Sequence, residues 1–134
     1  MAHFAEIGSD NKVIRVVVIG NDDIKDSDGN ESEAVGIAFC QNLFGGGTWV
    51  QTSYNNNFRY NYAGEDYTWD ATNNAFIPPK EEFGDTWVLD TTYYRWKPPI
   101  AHPSGKNWAS NQHDCNDYDW DEENQKWVEA PDSE

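Results

Sequence analysis

His102, His113, Asp114 and Cys115 fall close together in the last third of the chain, and by type all four side chains can ligate zinc. Their order matches no known zinc pattern: there is no CxxC and no HExxH. They are therefore expected as solvent-facing loop residues. The stretch "DIKDSDGNESE" invites a calcium reading. An EF-hand loop places acids at its first, third and fifth positions and glycine at the sixth. Counting back from Gly29 puts Ile24 at the first position, where it cannot ligate, so a tight turn is expected instead. No metal and no other cofactor is implied.

Nucleophilic chemistry fares no better. No GxSxG motif is present, and Cys115 beside His113 is the one thiol–imidazole pairing. Residues two apart on a strand share a face, so the two could touch. A reactive thiol, however, favours a cationic setting, and here Asp114, Asp117, Asp119 and Asp121 crowd it. Cys40 lies in a helical pattern, where a free thiol acts as a small hydrophobe, and no disulfide is expected. Carboxylate pairs for glycoside hydrolysis abound in so acidic a chain and carry no information. "GGGT" follows a helical pattern rather than opening one, so it is no phosphate loop. The chain reads as a non-enzyme.

Aromatic platforms remain. The 134 residues include seven Trp, seven Tyr and six Phe. Rings set among Asn and Asp, as in "SYNNNFRYNY" and the tip "TTYY", can stack on sugar faces. Rings in hairpins otherwise pack into a core or a protein interface. Tyr93, Tyr94, Trp108 and Trp127 lie at tips or in irregular sequence and are the candidate exposed interface residues. "YYRWKPP" is similar to the second strand of a WW domain, but Trp87 stands too close to Trp96 for that fold.

Charge narrows the partners. A formal net charge of −15 repels nucleic acid and anionic lipid, whose binding depends on Lys and Arg. A solvated acidic surface or a basic protein partner fits better. No apolar run is long enough to span a bilayer, and "MAHFAEIGSD" lacks the regions of a signal peptide.

The elements that position these residues follow from periodicity. "HFAEI" at residues 3–7 and "KVIRVVVI" at 12–19 read as strands. The second is apolar on both faces, which predicts a central strand or one covered on both sides. Residues 31–44 read as the one helix, with Asn30 and Glu33 as a capping box and glycines at 45–47 as the stop. Val35, Phe39 and Leu43 form its apolar row, predicted to be buried with Val16 and Val18. "TWVQTSY" at 48–54 reads as a strand, and 55–66 as a polar, ring-studded loop.

From residue 67 onward one small unit comes three times: "YTWDATNNAFIPPK", "WVLDTTYYRWKPP" and "YDWDEENQKWVEAP". An apolar residue and Asp open each, a polar tip follows, and a ring closes it: Trp69 with Phe76, Leu89 with Trp96, Trp120 with Trp127. The carboxylate can bond turn N–H groups, and the flanking pair can meet across a hairpin. The uneven spacing of the three argues against a solenoid. The expectation is α+β: mostly antiparallel β, one helix packed on an N-terminal sheet, then a series of Trp-containing hairpins. The N-terminal part would cover 1–66 and the hairpins 67–134, able to pack as one domain.

"MAHFAEI", then "TWVQTSYNNNFRYNYAG", then "YTWDATNNAFIPPK" and "YDWDEENQKWVEA" in that order resemble small proteins of marine tailed phages, cyanophages among them. The resemblance implies phage origin and a virion or assembly role. With it, the expected function is a non-enzymatic structural protein made in the host cytoplasm and placed in the virion, foremost as capsid decoration or another surface protein. The alternative is a tail-associated adhesin that binds glycan, or a factor in tail-fibre assembly. Expected partners are a phage capsid or tail protein and, in the alternative, a glycan, with neither nucleic acid nor membrane.

Overall fold

The computed structural model describes residues 1–131 and divides into two units, Met1–Pro78 and Pro79–Glu134. In the first, β1 (Ala2–Ile7), β2 (Val13–Ile19) and β3 (Thr48–Thr52) form an antiparallel sheet in the order β2-β1-β3. The β-branched run of β2 is thus at an edge, and β1 is central. Both faces of the sheet are nevertheless covered. On one face Ala2, Phe4, Ile19 and Trp49 pack with Ile24 and Cys40. On the other, Ala5, Ile7 and Val13 pack with Ala63 and Phe76. The two-faced apolar pattern of β2 reflects this double covering; Ile14 and Val18 remain about half exposed, at 53% and 51%. The β1–β2 register shifts between Glu6 and Ile7.

The single α-helix among the described residues, α1, spans Glu33–Phe44. Ser32 caps it by accepting the Val35 N–H at 3.3 Å, so the capping box read at Asn30 and Glu33 does not form. The helix ends at Gly45, whose φ of 78° is the left-handed stop, and the Gly46 N–H returns to Gln41 O. The expected core of Val16, Val18, Val35, Phe39 and Leu43 is corrected. Leu43 is 60% exposed, Val18 lies on the other face, and the helix buries Gly36 and Cys40. Gly36 decides the rotation, because a Cβ there would overlap the Phe4 ring. Ile37 and Phe39 flank that contact and are partly buried.

The first hairpin, β4 (Thr68–Asp70) with β5 (Ala75–Ile77), belongs to this unit: Phe76 is fully buried in the second core layer. The division therefore falls at Pro78, beyond the boundary drawn at residue 66. The second unit holds the hairpins β6 (Val88–Asp90) with β7 (Arg95–Lys97), and β8 (Tyr118–Asp121) with β9 (Lys126–Glu129). Residues 132–134, the end of the expected hairpin region, lie outside the described residues.

All three hairpins share one geometry. Trp69 faces Phe76, Leu89 faces Trp96, and Trp120 faces Trp127 across their strands. Asp70 and Asp121 each accept from the N–H and the side-chain amide of the Asn three positions on, at 2.7–3.1 Å. Asp90 accepts from the N–H groups of Thr92 and Tyr93 instead. The last tip residue is left-handed in every case: Asn74 at φ 54°, Tyr94 at 54° and Gln125 at 51°.

Candidate functional site

The second unit is built on rings. Phe83 meets Trp87 at 5.2 Å between centroids, Trp87 meets Trp108 edge-on at 5.6 Å, and Trp108 meets Trp127 at 5.8 Å. Trp127 also contacts Trp120 at 5.3 Å and His102 at 4.9 Å, and His102 meets Tyr118 at right angles. Edge-to-face and tilted contacts at these separations suit the ring quadrupoles, each adding about 0.5–1.5 kcal/mol beyond area burial.

Polar groups lock this assembly. Glu122 accepts from the N–H of Thr86, its hydroxyl and the Trp120 indole, and these bonds hold its carboxyl below the usual range. His102 is buried; its Nδ1 accepts the Ser104 N–H, so Nε2 carries the proton, 3.2 Å from both Cys115 O and Asp117 Oδ1. The Ser104 hydroxyl donates to Asp117 Oδ2 at 2.6 Å and depresses that carboxyl. Ser104 therefore bonds the acid and not the imidazole Nε2, and the three do not form a nucleophilic relay.

Beside the rings lies a cleft of about 440 Å³. Residues 97–102 form one wall, 105–108 another, and Asp90 and Trp127 complete the lining. The double proline at 98–99 ends β7 because it cannot extend the ladder, and it turns the chain along the cleft. The Trp127 indole donates to Ile100 O at 2.9 Å and fixes that ring. Lys97 Nζ reaches Asp90 Oδ1 at 2.9 Å, and Lys106 Nζ lies 3.4 Å from Asp117 Oδ1. Burial works against the ionised Asp90, but the bonds from Lys97, Tyr93 and Thr92 prevail and hold its carboxyl below the usual range.

Of the four candidate residues, the structure brings Trp108 and Trp127 together at this cleft, both partly buried. Tyr93, 37% exposed, does not line it. Tyr94, expected at an exposed tip, is corrected: it is 8% exposed, although Asn74 and Gln125 at the same left-handed tip position are exposed, so its ring and not its backbone distinguishes it. Asp90, Lys97 and Ile100 were missed, and His102, expected to face solvent, is corrected: it is buried in the cleft lining. The available signal was the second hairpin itself, whose opening Asp and closing Lys meet diagonally across the strands.

The other chemical candidates separate. His113 is exposed on a short 3-10 turn, Gln112–Cys115, while Cys115 is buried and bonds Asn111 O. Burial first, then Asp114 and Asp117, pushes the Cys115 thiol up; burial does the same to Cys40. Among the described residues no three His, Cys, Asp or Glu side chains converge on a metal position. The "DSDG" stretch is a turn in which Asp26 Oδ1 accepts from the N–H groups of Asp28 and Asn30.

In the first unit, part of "SYNNNFRYNY" borders a smaller cleft of about 290 Å³ with His3 and Gln51. Tyr54 stacks on His3 at 5.6 Å and is 66% exposed, and Tyr62 meets both rings. Burial lowers the His3 pKa, with the amino terminus adding to the effect. No described helix is long and apolar enough to cross a membrane. Compared with protein-family models, curated proteins and solved structures, the chain matches none of them.

Proposed function

We propose that the chain is a non-enzymatic structural protein of a tailed-phage virion, foremost a capsid decoration or other surface protein. The observation that supports a docking role is the apolar surface left on the second unit: Val88, Tyr93, Ile100 and Val128 are each between 37% and 50% exposed. Anchors of this kind, set in a polar surround, suit a protein interface, where a few truncations cost about 2 kcal/mol or more each. A net charge of −15 favours a basic partner surface and an encounter that weakens with salt. The phage assignment itself rests on the resemblance in motif order. The test is particle occupancy of Tyr93→Ala and Ile100→Ser. Both are expected to lower incorporation while the isolated protein keeps its thermal midpoint; unchanged occupancy would sink the docking reading.

A second reading has its own observation. The cleft at Trp108 and Trp127, with Asp90, Lys97 and Lys106 on its walls, combines ring faces with polar groups. That composition suits a small-ligand site and favours the glycan-binding adhesin. In that case the cleft variants enter particles normally but lose host-cell adsorption.

A further inference from the structure

We propose that the cleft lined by Trp108, Trp127 and residues 97–102 binds a neutral saccharide. The proposal rests on the second reading above, that this cleft takes a ligand, and gives the ligand's chemical class. Three features of the walls point to it.

The first is the pair of indoles. Trp108 and Trp127 stand 5.8 Å apart with their planes inclined at 53°, and both keep part of their surface open. A pyranose has a C–H face that lies flat on an indole and a rim of hydroxyls pointing away. A wall with an apolar body and a polar edge matches that division.

The second is charge balance. Both lysines of the lining already have carboxylate partners, Lys97 with Asp90 and Lys106 with Asp117. An anionic ligand would have to compete with those carboxylates, in a chain of net charge −15. A hydroxyl is donor and acceptor at once, so it can bond a lysine and its carboxylate together without separating them. Asn107 adds to this: its side-chain oxygen accepts the N–H groups of Ala109 and Ser110, which leaves its amide hydrogens to face a ligand.

The third is preorganisation. The Trp127 indole is tied to Ile100 O, and Pro98 and Pro99 fix the backbone of the adjoining wall. A volume of about 440 Å³ lies in the range of small-ligand sites. Rigid walls reduce the ordering cost that otherwise limits weak sugar binding.

The experiment is titration of the full chain with a panel of neutral oligosaccharides of glucose, galactose, mannose and N-acetylglucosamine. Tryptophan fluorescence and calorimetry read the binding at low and high salt. Galacturonate oligomers and a glutamate-rich peptide are run in parallel. At least one neutral sugar is expected to bind saturably, with affinity that salt does not change. Lys106→Met and Ile100→Asp, checked for an unchanged thermal midpoint, are expected to weaken it about tenfold or more, about 1.4 kcal/mol. Stronger, salt-suppressed binding of galacturonate or the peptide overturns the neutral-sugar proposal while leaving the cleft a ligand site. Sugar binding untouched by both variants places it elsewhere and also overturns the proposal. No binding by any member of the panel removes both the proposal and the reading on which it rests.

Discussion

Arg59 clasps Glu33: its guanidinium donates to both carboxylate oxygens, to Gln51 O and, through Nε, to Asn74. One side chain from the 53–67 loop thereby joins the first turn of α1, strand β3 and the tip of the first hairpin. Arg59 and Tyr60 both sit at positive φ, 56° and 66°, a backbone cost that these bonds offset. Burial opposes the ionised Glu33, but the bonds from Arg59 and the Gln51 N–H prevail and depress its carboxyl. A depressed folded-state pKa gives stability that is present above the unfolded carboxylate range and is lost as pH falls through the folded value. Glu33→Gln is therefore expected to cost about 1.5–3 kcal/mol near neutral pH. Thermal unfolding of both proteins across pH should show the gap closing in acid; a gap independent of pH would contradict the ion pair.

The left-handed tip residues give a paired test. Gln125 holds φ 51° with an exposed side chain, so Gln125→Gly is expected to raise stability by about 0.5–1 kcal/mol through relief of strain. Tyr94 holds φ 54° but is buried, so Tyr94→Gly is expected to lower stability in spite of the same relief. Denaturant midpoints of the two variants check both signs.

The indoles differ in what their N–H groups do. Trp120 donates to Glu122 and Trp127 to Ile100 O, whereas the buried Trp108 Nε1 has no acceptor among the described residues. Replacement by Phe removes a bond at the first two positions and an unmet donor at the third. Trp108→Phe is expected to cost about 1 kcal/mol less than Trp120→Phe. Equal losses in urea unfolding would show that Trp108 has a partner after all.

Gly36 inverts a familiar rule. In an ordinary helix interior Gly→Ala gains about 1 kcal/mol. Here a Cβ would overlap the Phe4 ring, and Gly36→Ala is expected to destabilise by about 1–3 kcal/mol. A rise in melting temperature would contradict the packing of α1 on β1.

How much of this was legible in the sequence varies by element. The hairpins were, because each carries its own instructions: an Asp to bond the turn, a polar tip and an apolar pair at matched offsets. The place of α1 in the chain was also legible from its apolar row and terminal glycines. Its rotation was not, since Gly36 has no side chain to mark the buried face, and only the tertiary contact with Phe4 selects it. The edge position of β2 was hidden because double covering by helix and hairpin gives an edge strand the pattern of a central one. At the cleft, the two Trp residues stood out, but the partnership of Lys97 with Asp90 and the burial of His102 depend on contacts that chain order does not display.

The proposed place of this chain is in the virion. Quantitative mass spectrometry of purified phage particles tests it most directly. The chain is expected in the particles at high copy, scaling with the capsid protein. Its absence from intact particles, with abundance confined to the infected-cell lysate, would contradict it.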